Sequence, residues 1–211
     1  DAQVDITDIC ATYLSFSAFE GGPCQTDVEF EDRLRLNQLY DYAACYWGEH
    51  AREAGENSRV ALDLLKRDSL VEAQVQAMMK IKRPWSSGSY NQDFPKRMQG
   101  LLVAAYFGIL GAVETLLQSS NNNDLKDSCG RTALSWAAGN GQEAVVKMLL
   151  DTGKVDVDLK DNEGRTPLLR AAGNGHEMAV KMLLETGKVD IDSKANDVLH
   201  GKVVSSSRYV P

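Results

Sequence analysis

The chain has 211 residues, 43% of them hydrophobic and 25% charged, the balance of a globular protein with a core to bury. No apolar run approaches the ~20 residues of a membrane span, and no secretory leader opens a sequence that starts at Asp1 rather than Met, so it reads as a fragment of a cytoplasmic protein. The net charge of −7 lies before Lys96, with 9 Lys and Arg against 16 Asp and Glu up to Pro95 and then 14 against 14; neither half is built to neutralise phosphates.

In chain order, "DITDICATYLSF" sets Ile6, Ile9, Cys10, Tyr13 and Leu14 at helical spacing. "TDVE" at Thr26–Glu29 is a capping box, and it opens a helix with Phe30 and Leu34 on one side. Asn37 is placed to cap the next helix, where Tyr40, Ala43, Ala44, Trp47 and Ala51 mark one face. Tyr42, Tyr46 and His50, four apart, mark another. Two aromatic faces predict a helix buried on both sides. Further helices fit Arg59–Lys66 and Leu70–Ile81, the latter with Val71, Val75, Met78 and Met79 inward. "RPWSSGSYNQDFPK" at Arg83–Lys96 reads as a linker.

Beyond it the sequence repeats. Gly130–Glu163 and Gly164–Asp197 share 23 of 34 positions without a gap. A weaker copy at Gly100–Leu117 sets Ala104, Ala105, Gly108, Val113, Leu116 and Leu117 33 residues ahead of their counterparts. Such a period marks a stacked array in which each unit covers its neighbour's apolar face. Within a unit, Thr132 or Thr166 caps a short helix, and Pro167 takes a first position where a missing N–H costs nothing. Paired alanines let the adjacent helix approach. Gly141 and Gly175 turn the chain into a second helix carrying Val146, Leu149 and Leu150, or Val180, Leu183 and Leu184. Gly153 and Gly187 sit where a left-handed residue ends it, and "VDVDLKDNE" from Val155 forms a hairpin-like loop.

The run Gly-Arg-Thr-Pro-Leu, Ala-Ala, Gly, Leu-Leu resembles the ankyrin repeat over about Gly100–Asp197. This implies an all-α fold: a small helical domain at 1–95, a solenoid of about three helix–turn–helix units with hairpin loops at 96–197, and a degenerate tail at 198–211. Ser135 and Leu169 stand where the family often has His. Gly100 replaces the proline of the first unit, which is expected to be a divergent, inward-facing cap. The resemblance implies protein binding through a concave ridge of loop tips and first helices. Carried over position by position, that ridge comprises Ser128, Cys129, Arg131, Gly139 and Asn140, then Asn162, Glu163, Arg165, Gly173 and Asn174. Trp136 and Arg170 lie at equivalent places on its edge, and both types serve as interface anchors. Arg131 and Arg165 would offer positive charge to an acidic partner.

The words "TDICATYLSFSAFEGGPCQTDVEFEDRL" and "LYDYAACYWGEHAREA" are similar to the winged-helix and helical segments that follow the NACHT domain in fungal NLR-like proteins and lead into ankyrin repeats. The resemblance implies the sensing end of a signalling receptor, in contact with a NACHT domain of its own longer chain. That ATPase is absent here, since no GxxxxGK[ST] occurs. A stand-alone ankyrin adaptor is the rival reading; a nucleic-acid-binding winged helix is disfavoured by the acidic charge.

Chemistry finds little to work with. His176 follows a turn glycine, His50 sits on an aromatic face and His200 lies in the tail. "GNG" is too short for a phosphate loop. Asp156, Asp158 and Asp161 lack calcium-loop spacing. The four cysteines show no zinc pattern and read as reduced thiols. No enzyme activity, cofactor, metal, nucleic acid or membrane partner is expected.

Overall fold

The computed structural model describes residues 2–55, 58–80, 92, 94–119 and 122–193. All regular structure among them is helical, in eleven α-helices and one 3-10 turn. The tail at 198–211, His200 and, within the expected linker at 83–96, residues 83–91 and 93 lie outside the described residues; of the rest of that linker, Phe94 and Pro95 are buried.

The acidic block contains α1 (Ala2–Leu14), the turn Ser17–Phe19, α2 (Asp27–Leu36), α3 (Tyr40–Ala54), α4 (Arg59–Leu65) and α5 (Asp68–Met78). Thr26 and Glu29 form the expected reciprocal box at the head of α2. Asn37 does not cap α3. It closes α2, its side-chain amide donating to the Arg33 carbonyl (2.9 Å), and α3 begins behind Leu39 without a side-chain cap. Helix α5 ends at Met78, with Val71, Val75 and Met79 buried as expected and Met78 half-buried.

Helix α3 is the hub, packed against α1, α5 and α6. Tyr40, Ala43, Ala44, Trp47 and Ala51 are all buried. Phe19 stacks on Tyr40 with ring centroids 4.4 Å apart, and the Tyr40 hydroxyl donates to the Ala73 carbonyl (2.6 Å). Burial pushes the Tyr40 pKa up to about 12, so the phenol stays a donor. The second aromatic face is not buried: Tyr42 is 45% and Tyr46 39% exposed. Tyr42 and Tyr46 face solvent, and half-buried His50 ties this side of the helix to α1. His50 Nε2 meets the Tyr42 hydroxyl (2.9 Å) and its Nδ1 meets Gln3 Oε1 (2.7 Å). Ile9, expected inward, is 63% exposed, because Thr7, Cys10, Ala11 and Leu14 make the buried stripe of α1.

Three helix pairs follow: α6 (Gly100–Phe107) with α7 (Leu110–Ser119), α8 (Ala133–Gly139) with α9 (Glu143–Asp151), and α10 (Pro167–Gly173) with α11 (Glu177–Glu185). First helices stack in the row α6, α8, α10, and second helices in the row α7, α9, α11. Thr132 accepts the Ser135 N–H and Thr166 the Leu169 N–H, with Pro167 at the helix start. Gly141 (φ +65°) and Gly175 (φ +77°) make the turns within pairs, where the left-handed region favours glycine. The intervening loops are turns rather than strands.

The acidic block covers the first pair, through α3, α4 and α5 against α6. Gly100 is required there, since a Cβ would run into the Leu65 backbone carbonyl at the end of α4. The missing proline of the first unit is thus the mark of a helix that begins against the acidic block. Gly48 does the same for α3, facing the buried Phe107 ring, which meets Trp47 edge-on at 5.6 Å.

Candidate functional site

The ridge is built from the loops before α8 and α10 and from the helix ends behind them. At its base lie two aspartates, Asp127 and Asp161, 34 residues apart and both buried. Asp127 Oδ1 accepts the backbone N–H groups of Cys129 (2.8 Å) and Arg131 (2.9 Å). Asp161 Oδ1 accepts those of Glu163 (2.8 Å) and Arg165 (2.9 Å). Each carboxylate therefore folds its own loop tip, as Asp does when its oxygen replaces a backbone acceptor.

The second oxygen reaches the following helix, and here the units diverge. Asp127 Oδ2 takes the Trp136 indole N–H at 3.2 Å. Asp161 Oδ2 takes the guanidinium of Arg170, whose Nε is 2.9 Å away, and lies 3.4 Å from Arg165 Nε. Burial alone would raise the Asp161 pKa, but the Arg165 backbone N–H and the charge of Arg170 outweigh it and hold the carboxyl below its ordinary range. For Arg170, burial and then the neighbouring charge of Arg131 push the pKa down. Arg131 and Arg165 both act on it, so three guanidinium groups crowd one edge.

Their partners differ. Arg165 is paired with Asp161 and Glu163, and Arg170 with Asp161. Arg131 lies over the Trp136 ring, 4.6 Å from its centroid, and forms no ion pair among the described residues; its Nε is buried without an acceptor. The reason is legible in the loop: Cys129 stands where the next unit has Glu163, and Asp127 is already engaged.

The loops are tied to one another. Asn162 donates from its side chain to the Ser128 carbonyl (2.9 Å) and from its backbone to the Cys129 carbonyl (3.0 Å). Ser128 in turn exchanges hydrogen bonds with the Lys96 backbone. At the other end, Asn140 donates to the Trp136 carbonyl (2.8 Å) and Asn174 to the Gly139 carbonyl (2.6 Å). His176 Nε2 also meets Gly139 O (3.1 Å).

Asn162, Glu163, Gly173 and Asn174 are exposed, and Ser128, Cys129, Arg131, Gly139, Asn140, Arg165 and Arg170 half-buried. Trp136 is 7% exposed and meets Tyr106 of the first unit edge-on at 5.6 Å, so it covers the adjacent unit rather than standing free. Sequence reasoning missed Asp127, Asp161 and Tyr106. The aspartates had a signal: in both copies an Asp stands three residues before Gly-Arg-Thr. The set the structure adds is acid, arginine and inner-helix side chain, one layer per unit.

Residues 101–195 match the family model for ankyrin repeats (3 copies). Among curated proteins, the chain is 33% identical to mouse 60 kDa lysophospholipase over 102 residues, 47% of this chain and 17% of that protein. It is 42% identical to human ankyrin repeat domain-containing protein 39 over 55 residues, 26% of this chain and 30% of that one. It therefore spans less than a third of either relative. Among solved structures, the crystal structure of the human ASB11 ankyrin repeat domain is 33% identical, with a TM-score of 0.40, over 43% of this chain and 40% of that chain. Over residues 101–195, just under half of the chain, the molecule thus resembles an array of ankyrin repeats, a fold that presents an extended concave surface.

Proposed function

We propose that this chain is a non-enzymatic protein-recognition module whose ligand lies along the ridge from Ser128 to Asn174. The observation that carries the reading is the layered repetition of that ridge. Two buried aspartates hold consecutive loop tips at one spacing, and inter-loop bonds from Lys96 to Asn162 lock them together. A surface fixed before binding loses less entropy when a partner is ordered upon it. Gly139, Asn140, Gly173 and Asn174 supply small and polar contacts, and the arginines supply charge.

In the same reading the module is the sensing part of an NLR-like receptor, with the acidic helical block passing occupancy to a NACHT domain of a longer chain. What supports this is the likeness of the upstream words, together with the tight seam at Gly48, Gly100 and Phe107 through which strain at the array would reach α3 and α4. Coding sequence upstream of Asp1 holding a GxxxxGK[ST] motif ahead of a helical segment is the expected finding, and its absence favours a stand-alone adaptor. His50 and His176, the described histidines, are engaged in Tyr42–Gln3 and Gly139 contacts.

The test of the ridge is a display selection. Random peptides selected on the 211-residue chain are re-measured against the Arg131→Glu plus Arg165→Glu variant, after circular dichroism shows that it remains folded. Loss of binding by most selected peptides is the expected result; unchanged binding by all of them would remove the ridge from the argument.

A further inference from the structure

We infer that Arg131 is the anion-recognition point of the ridge and that it takes a single carboxylate from an acidic segment of the partner protein. The inference rests on the ridge reading and goes beyond it in naming the partner's chemistry. Three arginines gather here, but two are spent within the chain, Arg165 on Asp161 and Glu163 and Arg170 on Asp161. Arg131 alone has no acid among the described residues. Asp127, the carboxylate its own loop provides, is engaged by the Cys129 and Arg131 backbone and by the Trp136 indole.

The Trp136 ring fixes the guanidinium in place. A planar cation stacked on an indole loses little further rotamer freedom when it pairs, and its fork matches the two oxygens of a carboxylate. The Nε is buried, so an incoming acid meets the terminal nitrogens. At this edge the three arginines face Asp127, Asp161 and Glu163. A polyanion reaching Arg131 would also meet those acids. One carboxylate among neutral side chains is the ligand that such a surface fits.

Four fluorescein-labelled peptides test this, each a nine-residue Gly-Ser-Tyr frame whose central residue is Glu, Gln, Lys or phosphoserine. Fluorescence anisotropy is followed with the full chain, with Arg131→Gln, with Arg131→Lys and with Lys147→Gln. The Glu peptide is expected to bind at least about tenfold more tightly than the Gln peptide, the worth of one charge-assisted bidentate contact. Arg131→Gln should abolish that preference. Arg131→Lys should keep less than about a fifth of the affinity, since a lysine keeps charge without the guanidinium fork. Lys147→Gln should change it by less than about twofold, because this exposed lysine lies on α9, outside the ridge. Melting temperatures of the Arg131 variants should match the parent within about 2 °C.

Equal binding of the Glu and Gln peptides, or an undiminished preference in Arg131→Gln, overturns the inference, as does tightest binding by the phosphoserine peptide. If display-selected peptides still require the ridge while lacking Asp and Glu, the ridge reading stands and this one falls. If no selected peptide depends on the ridge, both fall.

Discussion

Asp161 offers the sharpest test of how the ridge is held. Its side chain is fully buried and accepts from the backbone of Glu163 and Arg165 and from the guanidinium of Arg170, itself 15% exposed. Asp161→Ala removes the anion and leaves a mostly buried cation and two backbone donors without partners. Breaking a buried pair on one side costs about 3–5 kcal/mol. Arg170 can swing partly into water, so the lower figure of about 3 kcal/mol is expected, equal to a fall in Tm of about 6–12 °C for a chain of this size. The comparison with the preceding unit isolates the cause. Asp161→Asn turns an amide N–H towards a guanidinium and should cost about 2–3 kcal/mol, whereas Asp127→Asn faces only the neutral Trp136 indole and should cost about 1 kcal/mol. Urea unfolding followed by circular dichroism at pH 7 measures all three. Asp161 is held below 3.8, so its ionised state stabilises the fold fully above that pH and the benefit disappears as pH falls through the lower folded value. The gap between parent and Asp161→Asn should therefore close in acid. Equal costs for the two Asn variants, or a gap that widens in acid, would refute the assigned roles.

Other substitutions address the seam and the array's open end. Gly100→Ala should destabilise by about 2 kcal/mol or more despite the better helix former, because its Cβ meets the Leu65 backbone rather than a movable side chain; a neutral melting curve would contradict this. Gly48→Ala meets only the Phe107 ring, so Phe107→Leu should relieve part of its cost, seen as a coupling of about 1 kcal/mol in a double-mutant cycle. Trp136→Ala should cost about 3–4 kcal/mol by loss of a buried aromatic, read by urea titration. Removing Val198–Pro211 should leave Tm within about 2 °C, and a fall of several degrees would show that those residues cover the last unit.

How much of this could be read from the residues depends on where each constraint is local. The helix pairs were legible because Thr166, Pro167, Gly175 and the Val180–Leu183–Leu184 stripe each act within a few residues of themselves, and a period of 34 repeated the evidence. The ridge was legible as a set of positions but not as a mechanism. Arg131 and Arg165 look alike in sequence. Only the geometry separates them, since one lies on an indole and the other is held by two acids. The aspartates went unread because a carboxylate in a string of Asp and Lys looks solvated, whereas burial at Asp161 depends on a helix nine residues further on.

In the acidic block the misplaced faces have one physical origin. Period alone cannot tell which of two apolar faces meets a neighbour, so Tyr42 and Tyr46 were expected inside and Ile9 with them. On the hub helix Tyr42 and Tyr46 are exposed, and Tyr42 bonds His50, which in turn reaches Gln3 of α1. Gly100 shows the converse case: read within the repeat it looks like decay, yet beside α4 it is the residue that lets the array begin against the acidic block. The last described helix pair makes the same point measurable. Leu150 and Leu184 are equivalent in sequence, but α10 and α11 stack on the unit holding Leu150 while Leu184 is 40% exposed. Leu150→Glu should then cost about 2 kcal/mol or more and Leu184→Glu less than about 0.5 kcal/mol. Equal costs would mean that Leu184 too is covered in solution.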